Sequence, residues 1–431
     1  MKIKGFRWWI IGLIFLATVI NYIDRSALSI MWGNENVDGS ISQALGLTKD
    51  DYGNILNIFM VFYALGQLFT GKIFDKVGTR IGYVLSIGVW GLSSFLHSTV
   101  RGFLSISIFR SLLGFSEAGN WPGAVKSNAE WFPIKERAIA QGLFNAGASI
   151  GSVIAPPFIA MLFVAFGWRT TFMVVGTFGI LWIIPWLIIN KAGPKKHPWM
   201  TDEERTYILE GQSAADQKDT EGIKGKSLME ILSFRESWSI VVGRFFLEPI
   251  WWLFVGWMPI YLFDVYGFDV KQVGMFAWVP YVGAALGSIA GGWVSGQIIS
   301  KTGNINKGRK TTIFIGGLIM FLGLVATVLF AKSALAFVLI VFMVLFGFQF
   351  AIGNVQTLPS DFFSGKSVGS LAGLGGMVGV FSVIVMNFLV PMIAEISYTP
   401  IFIGIAAFVP LGIGAIYFFA RKIQSVESVE E

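Results

Sequence analysis

The chain has no cysteine and only two histidines, His97 and His197, in 431 residues. Disulfides, thiol nucleophiles and cysteine-ligated metals are therefore excluded. Two isolated histidines do not make a histidine metal centre, so no cofactor or metal is expected. Charge is scarce as well: 13% of residues are Asp, Glu, Lys or Arg, where soluble domains have roughly 25%. The net charge of +6 does not point to nucleic acid, because the basic residues sit in short segments between apolar runs. A phosphate loop is missing too. The stretch "SGKS" (364–367) would need Gly at position 360, where Ser360 stands. No ATP-driven process is expected.

What the chain does have is apolar sequence in blocks, 54% of all residues. Twelve blocks are long enough to cross about 30 Å of hydrocarbon. They lie near 8–31, 51–73, 80–98, 102–125, 136–163, 168–190, 237–263, 271–299, 311–331, 334–358, 367–393 and 398–420. The first runs on past residue 20 with no small-residue cleavage site, so it reads as a span and not a signal peptide. In lipid every backbone polar group needs an internal partner, which makes helices the only reasonable reading. With the N-terminus inside, 24 Lys and Arg fall in inner segments and five in outer loops. The positive-inside rule then places both termini in the cytoplasm. The longest polar stretch, 191–235, divides the chain into six spans and six spans. The expected organisation is an all-α membrane protein: a bundle over 1–190, a linker over 191–235 and a bundle over 236–431. Within the linker, Thr201 followed by Glu204 predicts the start of a short surface helix. The halves are faintly similar: a shift of 231 residues puts Glu130 on Asp361, Phe132 on Phe363 and Lys135 on Lys366.

Six ionisable residues fall within spans: Asp24 and Arg25 in "NYIDRSALSI", Arg110, Glu117, Arg244 and Glu248. A charge at membrane depth costs roughly 2.5–3.5 kcal/mol on insertion scales, so each must face protein or water and find a partner. Glu117 is near the midplane of span 4, with Arg110 two turns away on the same face. They are a structural ion pair, or a proton-binding carboxyl with an arginine that changes partner. Asp24 and Arg25 point about 100° apart on a helix. They snorkel to the outer interface, or Arg25 receives an anion through its planar fork while Asp24 carries a proton. Arg244 and Glu248 are i, i+4 and can pair along one face of span 7. Pro249 after them is expected to weaken the helix, which suits a gate. Trp251 and Trp252 are candidates for stacking on a sugar ring, or core residues. Asn145, Gln349, Asn354 and Gln356 are candidates for hydroxyl recognition, or helix–helix hydrogen bonds. The glycine runs "GASIG" (147–151) and "GLGGMVG" (373–379) read as close helix packing.

The stretch "GKIFDKVGTR" (71–80) resembles the loop signature of the major facilitator superfamily between spans 2 and 3. In it Asp75 is expected to cap a neighbouring helix and Arg80 to pair with an acid. The matching loop of the second half has Ser295 where the acid is expected. The stretches "FRSLLGFSEAGNWPG", "EWFPIKERAIAQGLFNAGASIGSVIAPPF" and "GRFFLEPIWWLFVGWMPIYL" are similar to the anion:cation symporter family, and within it to bacterial hexuronate transporters.

That resemblance covers the whole chain and implies a secondary transporter. It would be a monomer in the bacterial inner membrane with a small organic anion and protons as partners, working by alternating access. Related galactonate-type transporters use an Asp-Arg pair in span 1 and an Arg and a Glu in span 4. All four positions match here, as Asp24, Arg25, Arg110 and Glu117. Tyr22 and Tyr63 match substrate-contact positions. Ala148, Val355 and Gly376 depart from that pattern, which has Gln, Trp and Asn there. The resemblance thus implies proton-coupled uptake of a related but different sugar acid, a hexuronate such as glucuronate or galacturonate. Another organic anion, such as an aldonate, aldarate or aromatic acid, is the alternative. A membrane enzyme would need a His, Ser or metal constellation that the chain lacks. A sensor would want an added soluble domain, for which 191–235 is too short.

Overall fold

A computed structural model describes residues 2–33, 38–210, 227–363 and 365–424. Among them the chain is helical, and the one strand-like contact is an isolated bridge between Ile3 and Met200. It forms two compact units, Met1–Gly222 with Asp269–Gly274, and Ile223–Phe268 with Met275–Glu431.

In the first unit, span 1 is α1 (Phe6–Trp32), followed by the short α2 (Ile41–Leu45). Spans 2 and 3 are joined in α3 (Lys49–Leu96), which opens with a capping box. Thr48 accepts from the Asp51 amide at 3.2 Å, and Asp51 accepts from the Thr48 amide at 2.9 Å. The joint is Gly78, at φ +77°, a conformation that costs other residues dearly. Span 4 is shared by α4 (Phe103–Glu117) and α5 (Asn120–Trp131). Spans 5 and 6 form α6 (Ile134–Ile189), jointed at Gly167, φ +74°. The linker holds α7 (202–210) and α8 (Leu228–Ser233). In the second unit, α9 (Arg235–Tyr266) is span 7. Span 8 is α10 (Val270–Phe276), most of which is counted with the first unit, and α11 (Val279–Thr302) of the second. The last four spans are α12 (Ile305–Phe330), α13 (Ala334–Phe362), α14 (Gly365–Ala394) and α15 (Thr399–Phe419).

Nine stretches among the described residues are long and apolar enough to cross a membrane. One of them, Gly142–Ile189, has 48 residues and covers two expected spans. Two expected spans are not among the nine. Span 2 runs into side chains that lie outside the described residues, at 68, 71 and 72. Span 4 is broken at Ala118 and Gly119. The burial pattern is that of a lipid solute. Large apolar side chains such as Leu104, Phe69, Ile289 and Met392 point outward, while Asp24, Arg110 and Glu117 are buried.

Close backbone approach sets the helix spacing that the site needs. A Cβ on Gly66 would lie 2.4 Å from the Phe115 carbonyl oxygen, and one on Gly114 would lie 2.4 Å from that of Phe59. This reciprocal contact brings α3 and α4 together without side chains between them. On the other side, a Cβ on Gly151 would lie 2.8 Å from the Tyr22 Cβ, which holds α6 against α1.

The start of the linker is tied to the first unit. The Thr201 hydroxyl accepts from the Glu204 amide at 3.2 Å, the expected cap of α7. The Glu204 carboxylate does not close the capping box. It turns to α1, accepting from the Phe6 amide at 2.9 Å and from Arg7 Nη1 at 2.7 Å. Arg7 also reaches Glu136 at 2.8 Å. The Phe6 ring packs 4.2 Å from His197, whose Nε2 donates to the Ile189 carbonyl while Nδ1 accepts from the Trp199 amide. That arrangement requires a neutral ring. Burial pushes the His197 imidazole below its usual range, and Lys191 and Arg205 push the same way.

Two outcomes follow. Gly114→Ala should cost about 1–3 kcal/mol of thermal stability by overpacking against Phe59. Gly142→Ala, with open space at its Cβ, should cost nothing, so equal effects in thermal unfolding would contradict the close contact. His197 binds its proton less readily when docked. Its contribution to docking is therefore complete above its ordinary value of about 6.5 and is lost as pH falls below it. Amide protection factors over residues 194–210, corrected for the intrinsic exchange rate, should fall below that pH, and His197→Gln should remove that fall.

Candidate functional site

The opening pair of charges is buried and does not snorkel. Asp24 is 1% exposed, Arg25 8% and Glu117 0%. One helical step apart on α1, Asp24 and Arg25 indeed take different partners. Arg25 Nε donates to Glu117 Oε2 at 2.6 Å, joining span 1 to span 4. Three rings surround the Arg25 guanidinium: Tyr63 at 4.7 Å, Tyr22 at 5.2 Å and Phe59 at 5.7 Å. Such faces attract a cation and fix the plane of its fork. Asp24 Oδ1 instead accepts from the Ser94 hydroxyl at 2.5 Å, across to span 3. Its Oδ2 is buried without a hydrogen-bond partner.

Arg110 lies on the same helix face as Glu117 but does not pair with it. Among the described residues it makes no ion pair, and its Nε and Nη2 are buried without hydrogen-bond partners. It stays within electrostatic reach of Glu117, Tyr52 and Asp24. The cluster thus holds two arginines and two carboxylates, with one contact ion pair and unspent hydrogen-bonding capacity on Asp24 and Arg110. A buried group with such capacity is suited to exchanging partners.

In the second unit, Arg244 and Glu248 pair within α9, Nε to Oε1 at 2.8 Å. Arg244 Nη1 also donates to the Ala372 carbonyl at 3.2 Å. The pair is seated on the glycines of α14. A Cβ on Gly376 would lie 3.3 Å from Arg244 Nη1, and one on Gly379 would lie 2.5 Å from Glu248 Cγ. Here α9 runs on through Pro249 and Pro259 without ending, although neither proline has an N–H to give the ladder.

Other expected site residues are dispersed. Trp251 is stacked on Phe348 at 5.7 Å and edge-on to Tyr281 at 6.0 Å, inside the second unit. Trp252 and Gln349 are half-buried, and Asn145 is exposed. Asn354 accepts from Arg309 Nη1 at 3.2 Å and donates to the carbonyls of Gly291 and Phe350. Arg309 is itself paired with Asp361 at 2.9 Å and reaches the Ser295 hydroxyl at 3.3 Å. Ser295 thus joins a hydrogen-bonded group whose acid is Asp361, from the end of span 10. The side chain of Asp75 lies outside the described residues. Among the described residues Arg80 makes no ion pair. Its Nη2 donates to the Leu187 carbonyl at 3.4 Å, and Glu130, the nearby carboxylate, accepts from Thr79 at 2.7 Å.

The profile of the Major Facilitator Superfamily matches residues 14–386. The chain belongs to this superfamily. It is 33% identical over 434 residues to the hexuronate transporter of Escherichia coli K12, covering all of this chain and 98% of that one. It is 34% identical to the galacturonate transporter of Dickeya chrysanthemi, over 74% of this chain and 90% of that one. The fold is also that of a bacterial homologue of the human lysosomal transporter Spinster, solved inward-facing and occupied, with a TM-score of 0.71 at 16% identity over 98% of both chains. The chain is therefore a multi-pass membrane transporter of the major facilitator fold and not an enzyme.

Two site residues carry no sequence signal of their own. Phe59 and Ser94 look like ordinary span residues, and only the packing of α3 on α1 and α4 brings them to Arg25 and Asp24. A double-mutant cycle tests the central pair. Arg25→Ala should destabilise the protein by about 3–5 kcal/mol, because it strands a buried carboxylate. Adding Glu117→Gln should recover a large part of that loss in thermal unfolding. Additive losses would mean that the two side chains do not depend on each other.

Proposed function

We propose that the chain is a proton-coupled symporter that takes up a sugar acid, a hexuronate such as glucuronate or galacturonate, by alternating access. The observation that carries this reading is the 2.6 Å bond between Arg25 and Glu117 within a buried cluster. A guanidinium held by a carboxylate is a masked anion site. A proton on Glu117 removes the charge that holds Arg25, and the fork then accepts the substrate carboxylate through two parallel hydrogen bonds. Loss of that proton on the low-proton side lets Glu117 take Arg25 back and displace the substrate. Asp24 is the second proton carrier. Arg110, buried with donors to spare, holds whichever carboxylate is ionised. Tyr22 and Tyr63, stacked about Arg25, touch the bound acid. Arg244 and Glu248 serve as a gate pair in the second half, and Asp75 and Arg80 belong to the inner loop.

The sugar-acid class is supported by the named substrates of the relatives, which also include galactarate/D-glucarate transporters at 29% identity. A panel of hexuronates, aldonates and aldarates separates these substrates. The Lys and Arg bias supports both termini on the cytoplasmic side of the inner membrane, with 191–235 as a linker between two bundles. One proton per monoanion moves no net charge. Two protons add about 2.3 kcal/mol of drive per 100 mV.

In vesicles, Glu117→Gln should abolish accumulation driven by a proton gradient and keep substrate exchange. Undiminished accumulation removes Glu117 from coupling. For Arg25→Ala, binding of acids should collapse without any gain for the neutral sugar. Wild-type affinity for the acid would refute the anchor.

A further inference from the structure

We propose that the first unit carries a second anion site, for a phosphate group, where the polar stretch leaves span 6. It is separate from the buried cluster, and it stands whether or not the transport reading does. A cavity of about 740 Å³ lies there, lined by Arg80, Lys126, Lys195, Lys196, Asn190 and Glu130 among others. That volume is in the range of small-molecule pockets. Four cations face it with one carboxylate. Lys126 Nζ donates to the Phe74 carbonyl at 2.8 Å, and Glu130 accepts from the Thr79 hydroxyl. Arg80 and Asn190 have donors to spare. Arg80 Nε is buried without a hydrogen-bond partner, and its Nη2 has only the long 3.4 Å bond to the Leu187 carbonyl. Asn190 is 3% exposed, and its amide Nδ2 has no partner.

Clustered cations with idle donors are costly unless an anion neutralises them. The donors come from different elements: the start of span 3 (Arg80), the far end of α5 (Lys126), the end of span 6 (Asn190) and the loop after it (Lys195 and Lys196). Donors arriving from several directions suit the tetrahedral oxygens of phosphate better than a planar carboxylate. All of these residues lie at or just beyond the ends of the expected spans, where lipid headgroups are expected. Basic pockets at that level take phospholipid headgroups, and a free phosphate offers the same oxygens.

The test uses the full chain, purified and delipidated in detergent, with thermal unfolding as the readout. The additions are phosphatidylglycerol, diacylglycerol as its phosphate-free control, and inorganic phosphate against chloride at equal ionic strength. Phosphatidylglycerol should raise Tm by about 3 °C or more. Lys195→Gln with Lys196→Gln, both exposed, should lower its apparent affinity about 10-fold, and the Lys→Arg pair should restore it. A shift with phosphatidylglycerol alone identifies a lipid headgroup as the source. A shift with inorganic phosphate, lost in the Gln pair, identifies a soluble phosphate. No shift with either, or a full shift in the Gln pair, overturns the site.

Discussion

The buried bond between Arg25 and Glu117 is the constraint around which the first unit is arranged. Two charges removed from water cost several kcal/mol each, and they are tolerable only with close geometry and further partners. The unit supplies the geometry through glycine. Gly114 and Gly66 let α4 and α3 touch backbone to backbone, which sets Phe59 and Tyr63 against the guanidinium. Gly151 does the same between α6 and α1 at Tyr22. The result is a cation with rings around it and one carboxylate on its fork. That carboxylate is the only element of the arrangement that a proton can switch off.

The second unit uses the same residue types to a different effect. Arg244 and Glu248 lie one turn apart on a single helix, so they meet without any help from tertiary packing. Their side chains are 17% and 13% exposed, against 4% and 0% for Arg25 and Glu117. A pair within one helix does not tie two spans together, and its loss leaves less buried charge stranded. This unit also has an interhelical pair, Arg309 with Asp361, supported by Ser295 and Asn354. Glu130 and Asp361, matched by the 231-residue shift, both bind the start of the span before them, through Thr79 and Arg309. Internal duplication thus persists in what the acids do after the partner residue has changed.

The buried charges Asp24, Arg25, Arg110 and Glu117 were legible in the sequence because charge in an apolar span is conspicuous. Who pairs with whom was not. Spacing along one helix joins Arg110 to Glu117, and it correctly joins Arg244 to Glu248. Arg25 to Glu117 crosses between helices 92 residues apart in sequence, and no periodicity reports that. Aromatic and hydroxyl residues are common in spans, so Phe59 and Ser94 stayed hidden while Trp251 and Trp252 drew notice. Pro249 has no N–H to give the ladder, yet α9 continues through it, as buried spans permit when neighbours satisfy the freed carbonyl. The twelve spans were visible as apolar blocks. The sharp turns from span 2 to span 3 and from span 5 to span 6 rest on two glycines with positive φ, Gly78 and Gly167, which resemble any other glycine in the sequence.

Gly376 shows how one position answers to two pressures. In the galactonate-type pattern it is Asn, and its loss read as a change at the polyol end of the substrate. Here a side chain at this position would run into Arg244, whose Nη1 stands 3.3 Å from where a Cβ would be. Gly375 and Gly379 crowd the Arg244–Glu248 pair in the same way. The three glycines form a seat on α14 that the intact pair of α9 fills. A side chain at 376 would require the Arg244 guanidinium to give by a few tenths of an ångström. Glycine here thus leaves Arg244 free to sit on α14, where its Nη1 reaches the Ala372 carbonyl, so the position answers to the packing of the second unit.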